Sequence, residues 1–299
     1  MSKFKKIVLF LIVAGVIDIG RYTVYPNVSD LKDLRPVPTA FMEYRQDEWA
    51  SENREVTLHQ RWVSFSEISP NVIKAVLIGE DDKFWNHEGF DVQGMEQALE
   101  RSLQKGRIAG GSTISQQLAK NLYLSPSKNP VRKVKEAILT WRIENTLTKR
   151  RILEIYLNVA EWGDGIFGIE AAARHYYGKR AKNLTAQEAA RLAAVLPNPI
   201  KYNPTGNQKY VKNRSRIIYN IMKRRGIVIP EYKEVMTPPK AEEAPAEANV
   251  TEPVSELFPD QTQESVPDAE NAVSEEPVNA EPSVLPGGDA GSENPAPAQ

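Results

Sequence analysis

Four carboxylates, a histidine and two large aromatics fall within ten residues, Glu80-Asp81-Asp82-Lys83-Phe84-Trp85-Asn86-His87-Glu88-Gly89, with Asp91 just beyond. The cluster directly follows an apolar run, Val72 to Ile78, that reads as core. A carboxylate at the end of a buried segment is poorly solvated, which is the setting for a general acid or base. The plain alternative is a solvated acidic loop, and the cluster alone does not separate the two. Metal binding has little to build on. The other histidines, His59 and His175, stand at no ligand spacing, and the chain has no cysteine for a thiolate site or a disulfide.

Further groups of charged and polar residues follow in order. Gly110-Gly111-Ser112-Thr113-Ile114-Ser115-Gln116-Gln117-Leu118-Ala119-Lys120-Asn121 reads as a glycine loop running into a helix. Ser112 is its expected N-cap, and the free N–H groups there attract anions. Arg132-Lys133-Val134-Lys135-Glu136 places two cations four and three residues before a carboxylate. That spacing also describes an ordinary exposed helix pair. Then come Ile152-Leu153-Glu154-Ile155-Tyr156-Leu157-Asn158, whose last three residues read as packing, and a looser Arg214-x-Arg216-x-Ile218.

These groups need a helical frame. Ser69-Pro70 opens a helix through Gly79, with proline in the first turn. Further helices are expected over Asp91–Gln104, Thr113–Leu122, Pro130–Leu147 (with Val131, Val134, Ile138 and Trp141 at helical spacing), Lys149–Val159, Ile169–Tyr177, Ala186–Leu196 behind a Thr185/Glu188 capping box, and Gln208–Arg225. Residues 26–65 show no period and read as an extended juxtamembrane linker, with a short strand over Arg61–Phe65. Few strands are visible, so the body reads as one mainly α domain.

Taken together and in this order, the motifs resemble those of the peptidoglycan glycosyltransferases, the domain shared by class A penicillin-binding proteins and monofunctional transglycosylases. The likeness covers about residues 60–225 and is nearest the monofunctional type. The last motif departs from the family's paired arginines and Val-Leu, with Arg214-Ser215 and Ile218-Tyr219 here. The resemblance implies a lysozyme-like helical domain with a small membrane-associated jaw within about residues 100–130. It implies polymerisation of lipid II into β-1,4-linked glycan with inversion and release of undecaprenyl pyrophosphate. It casts Glu80 as the base, Asp81 as its support and Glu136 as a second essential glutamate. Ser112, Thr113, Gln116, Gln117, Lys120, Lys128, Arg132 and Lys135 would bind substrate and pyrophosphate. Lys128 stands where the family often has arginine, which keeps the charge and loses the bidentate fork. Phe84, His87, Gly89, Glu154 and Asn158 would shape the site. No cofactor is required, although a divalent cation (Mg or Mn) could bridge the pyrophosphate.

Composition adds the surroundings. The 299 residues carry a formal charge of −1, yet residues 241–299 hold 14 Asp or Glu and no Lys or Arg, so residues 1–240 carry +13. A basic body suits an anionic partner, here lipid II, the growing glycan and a membrane surface. Nothing reads as a nucleic-acid-binding motif. Penicillin-binding or division proteins are candidate partners. Eleven apolar residues, Ile7–Ile17, follow Lys3, Lys5 and Lys6. Alone they make about 16 Å of helix; continued to Tyr25 they reach about 28 Å, close to a bilayer core. Asp18 and Arg21, inside that span, are spaced to pair near the outer interface. We read an uncleaved anchor in the cell inner membrane with the catalytic body periplasmic; a cleaved signal and a buried helix are the alternatives. The chain thus divides into a cytoplasmic stub and transmembrane anchor (1–25), a juxtamembrane linker (26–59), a glycosyltransferase domain (60–228) and a disordered acidic Pro/Ala/Glu-rich tail (236–299). Two rival functions remain: a lysozyme-like or lytic glycan-cleaving enzyme, and a non-catalytic membrane-tethered scaffold.

Overall fold

The structure is a computed structural model that describes residues 2–105, 111–126 and 129–225. The acidic tail expected over 236–299 and the end of the 60–228 domain lie outside those residues.

The described chain is mainly helical. The helices are α1 Lys3–Gly20, α2 Ala40–Ser51, α3 Pro70–Glu80, α4 Val92–Lys105, α5 Ile114–Tyr123, α6 Pro130–Thr146, α7 Lys149–Val159, α8 Ile169–Tyr177, α9 Ala186–Val195 and α10 Lys209–Arg224. Most begin where a side chain takes up a free N–H. Ser69, Asn129, Thr148 and Thr185 each accept from the first turn of α3, α6, α7 and α9. α8 stops at Gly178, in the left-handed conformation that lacks a Cβ penalty. The cap of α5 is Thr113 and not the expected Ser112; Thr113 and Gln116 form a reciprocal capping box.

The core is built around α3, which lies against α9 and α10. Its Val72, Ile73, Ala75 and Val76 are fully buried. α5 packs on α6, α7 and α2. A small sheet closes one side in the order β1 (His59–Gln60), β3 (Ile166–Phe167), β2 (Glu161–Gly163). β1 runs parallel to β3 and β2 antiparallel to it, with a bulge between Glu161 and Gly163.

Two further expectations change, and α6 shows which way its apolar row faces. The strand lies at His59–Gln60, just before the alternating Arg61–Phe65. The stretch read as an extended linker contains α2, which buries only Met42 and Trp49. Two buried residues seven apart leave no amphipathic period to read, and the helix is held by its Thr39 cap and by polar bonds such as Trp49 Nε1 to Asp164 at 3.1 Å. On α6 the apolar row is turned outward: Val131, Val134 and Trp141 are exposed, while Glu136, Leu139, Thr140 and Ile143 are buried. Among the described residues one helix, at the N-terminus, is long and apolar enough to cross a membrane.

Candidate active site

Glu80 is the last residue of α3, where that apolar helix reaches α5 and α10. Its Oε2 accepts a hydrogen bond from Gln117 Nε2 at 3.0 Å, and its Oε1 lies 3.3 Å from Arg214 Nη2. The same Nη2 donates to the Gly79 carbonyl at 2.8 Å. That carbonyl belongs to a helix C-terminus, where acceptors are free and a cation is favoured. Gln117 is itself oriented, because its Oε1 accepts the Tyr156 hydroxyl at 3.0 Å and its NH₂ group must therefore face Glu80. Burial pushes the Tyr156 phenol well above its ordinary pKa, with the charges of Glu80 and Asp81 adding to it, so the hydroxyl stays a donor. Burial also raises the pKa of Glu80; Arg214 and Gln117 oppose the rise without cancelling it. The side chain keeps 9% of its surface exposed, so solvent or a ligand can reach it.

Asp81 faces away from this pair and holds the loop. Its Oδ2 accepts from the Ile114 N–H, the first of α5, at 2.9 Å, and its Oδ1 meets His87 Nε2 at 2.9 Å. His87 Nδ1 accepts the Gly89 N–H at 3.1 Å. The ring proton therefore sits on Nε2 and points at Asp81, which occupies both nitrogens. Thr113 Oγ1 donates to the Gly89 carbonyl at 2.7 Å, tying the loop again to the start of α5. Gly89 has φ +90°, and a Cβ there would stand 2.8 Å from Thr140 and 2.9 Å from Glu144, so only glycine fits. Phe84 is fully buried and meets the His87 ring edge-on.

A cationic group lies beside the carboxylate. Lys120, on the turn of α5 after Gln117, has its pKa lowered by burial; Glu136 and Glu80 pull it up while Arg132 and Lys133 push it down. Its ammonium is thus within electrostatic reach of both glutamates. Among the described residues no hydrogen bond holds it. Glu136, buried on α6, pairs with Arg132 Nη1 at 2.8 Å and with Lys133 Nζ. Lys133 also donates to Ser112 at 3.3 Å. The spacing that described an exposed pair at the sequence level therefore joins a buried carboxylate to two partly exposed cations.

Other expected site residues sit elsewhere. Lys135 points to the other side of α6, where its Nζ is 2.5 Å from Asp18 of α1. Thr113 and Gln116 form the capping box, each side-chain oxygen accepting the other's backbone N–H. Glu154 pairs with Arg151 at 2.6 Å. Asn158 bonds both the N–H and the carbonyl of Val63 at 2.9 Å, mimicking a strand neighbour for that segment. Lys128 lies outside the described residues. Arg214 and Tyr156 join the site from outside the expected set. The off-pattern Arg214 motif was the one signal for the first, and the second shows no polar role without its partner Gln117.

Residues 47–223 match the model of the transglycosylase family. A biosynthetic peptidoglycan transglycosylase of Laribacter hongkongensis is 52% identical over 200 residues, covering 67% of this chain and 88% of the relative. One from Nitrosospira multiformis is 44% identical over 215 residues, covering 72% and 94%. One from Aromatoleum aromaticum is 51% identical over 191 residues, covering 62% and 83%.

Proposed function

Because the chain belongs to the transglycosylase family and is a glycosyltransferase of peptidoglycan synthesis, we propose that it polymerises lipid II with Glu80 as the general base. The observation that supports this most is the pairing of a buried, oriented carboxylate with a separate group of cations on α5 and α6.

Ionised Glu80 removes the proton from the acceptor sugar's 4-hydroxyl as that oxygen attacks the anomeric carbon of the donor. The carbon–oxygen bond to the lipid pyrophosphate breaks, and the pyrophosphate leaves with the electron pair. Burial favours the neutral carboxylic acid that results, so the raised pKa improves the base. Arg214 and Gln117 keep enough of it ionised beforehand. Lys120, Arg132 and Lys133 take up the charge that grows on the leaving pyrophosphate, with Ser112 beside them. Glu136 holds Arg132 and Lys133 in place and keeps their neighbourhood from becoming uniformly positive. A single displacement with no covalent glycosyl-enzyme inverts the anomeric centre. Among the described residues no group of three or more His, Cys, Asp or Glu is placed to hold a metal ion. A Mg or Mn ion in the reaction would be held by the pyrophosphate oxygens. The N-terminal helix anchors the body, with residues 1–6 cytoplasmic and the body periplasmic.

The test supplies the full chain in vesicles with lipid II alone, or with preformed glycan alone. The proposal expects glycan to lengthen in the first and stay intact in the second. Shortening of preformed glycan without growth would instead make the chain a lytic enzyme, and no turnover of either would leave the scaffold reading.

A further inference from the structure

α6 presents three faces, because successive residues turn by about 100°. Glu136, Leu139 and Ile143 face the core. Lys135 and Arg142, seven apart, share a second face. Val131, Val134 and Trp141 form a third, with Trp141 59% exposed. The second face grips the outer end of the N-terminal helix. Lys135 Nζ lies 2.5 Å from Asp18 Oδ2 and 5.0 Å from the centre of the Tyr22 ring. Arg21 lies 3.3 Å from the other Asp18 oxygen and 4.8 Å over the same ring. Arg142 donates to the carbonyls of Tyr22 and Val24, at 2.9 and 3.0 Å. Those carbonyls follow the end of α1, where backbone acceptors have no helical partner.

We propose that Lys135 is a positioning residue that latches the outer end of the membrane helix onto α6, and so fixes the height and tilt of the Glu136 side of the cleft at the bilayer surface. The inference rests on the glycosyltransferase reading, since a fixed height matters for a substrate held in the membrane by its lipid. Two further observations bear on it. Asp18 is an acid near the outer end of the apolar helix, and an unpaired Asp in such a helix costs up to about 3 kcal/mol to insert, the value at the centre. Its pairing with Lys135 and Arg21 at the helix end gives the charge a partner outside the lipid core. The exposed Val131–Val134–Trp141 row lies next to the latch on the same helix, so the contact that seats α1 also lays that row on the lipid. The occupant of the row is the bilayer, argued from its continuity with the anchor. Lys135 and Glu136 are neighbours in sequence pointing to different faces, which lets one side of α6 read the membrane and the other the substrate.

The chain has no cysteine, so an introduced pair is unique. The full chain carrying Asp18→Cys and Lys135→Cys, in vesicles of phosphatidylethanolamine and phosphatidylglycerol, is treated with a short bis-maleimide. An intramolecular cross-link is expected, and none for Asp18→Cys with Lys223→Cys on α10. Failure of the first pair to cross-link overturns the latch. Asp18→Lys should then raise the apparent KM for vesicle-borne lipid II about fivefold at nearly constant kcat, the scale of one partly exposed ion pair. The exchange Asp18→Lys with Lys135→Asp should restore it, which a merely structural lysine would not do. An unchanged KM in a chain whose cysteine pair cross-links overturns the positioning role. A wild-type chain that cross-links but never extends lipid II refutes the polymerase reading and leaves the contact standing.

Discussion

Glu80, the proposed base, has its two oxygens addressed by different helices, Gln117 on α5 and Arg214 on α10. That division makes a prediction about pH. A base must be ionised, so the acid limb of the kcat/KM profile follows the Glu80 pKa. Burial raises that pKa and Arg214 lowers it. Arg214→Gln removes the cation, so the limb should move to higher pH, read from rates on lipid II across pH 5 to 9; a limb that stays or moves to lower pH would remove Arg214 from the account. Glu80 was legible because its motif and its place after an apolar run agree. The cations were only partly legible. Arg132, Lys133 and Lys135 look like one set in sequence, yet Lys135 turns from the other two and meets Asp18. Arg214 comes from a helix 134 residues away, a distance across which spacing carries no information.

The loop after α3 is fixed through Asp81 and through bonds to the start of α5. Asp81 ties His87 and the Ile114 N–H together, and Gly89 lets the chain pass close to Thr140 and Glu144. Gly89→Ala forces a Cβ into that gap at a positive φ and should cost on the order of 1–3 kcal/mol in urea unfolding, with activity falling alongside. A variant as stable as wild type would contradict the described packing. A second element-level prediction concerns β2. Glu161 is buried there, 3.0 Å from Arg45 of α2, and its pKa is pushed up from 4.5 to about 7 by burial, against the pull of Arg45. Between those values the folded chain holds a proton that the unfolded chain has lost. Stability from this group is therefore greatest below 4.5 and falls through about 7, by roughly 3 kcal/mol. Glu161→Gln cannot titrate, so it should flatten the loss of stability between pH 5 and 8, measured by urea midpoints. Helix ends were readable at this scale because caps are local chemistry: Thr148, Thr185 and Gly178 stand where the sequence places them. α2 was not, because it buries too few residues to show a period and depends on partners far along the chain, such as Asp164.

At the scale of the molecule, an apolar N-terminal helix and a basic body meet along α6. Its outward row was legible as a helical stripe, but a stripe alone does not say whether it faces protein or lipid. Trp141 answers that directly. In vesicles carrying brominated lipid, tryptophan fluorescence should be quenched, and Trp141→Phe should remove most of the quenching; full quenching in the variant would place another tryptophan at the membrane. One comparison tests whether Glu80 acts as base in polymerisation from lipid II. Wild type and Glu80→Gln, both as full chains in vesicles and both checked for matching thermal unfolding, are given lipid II and the glycan product is measured. If Glu80 is the base, wild type extends the glycan and the variant loses roughly 10²–10⁴-fold of the rate, the range for a general base. Growth by a folded Glu80→Gln at near wild-type rate would contradict it.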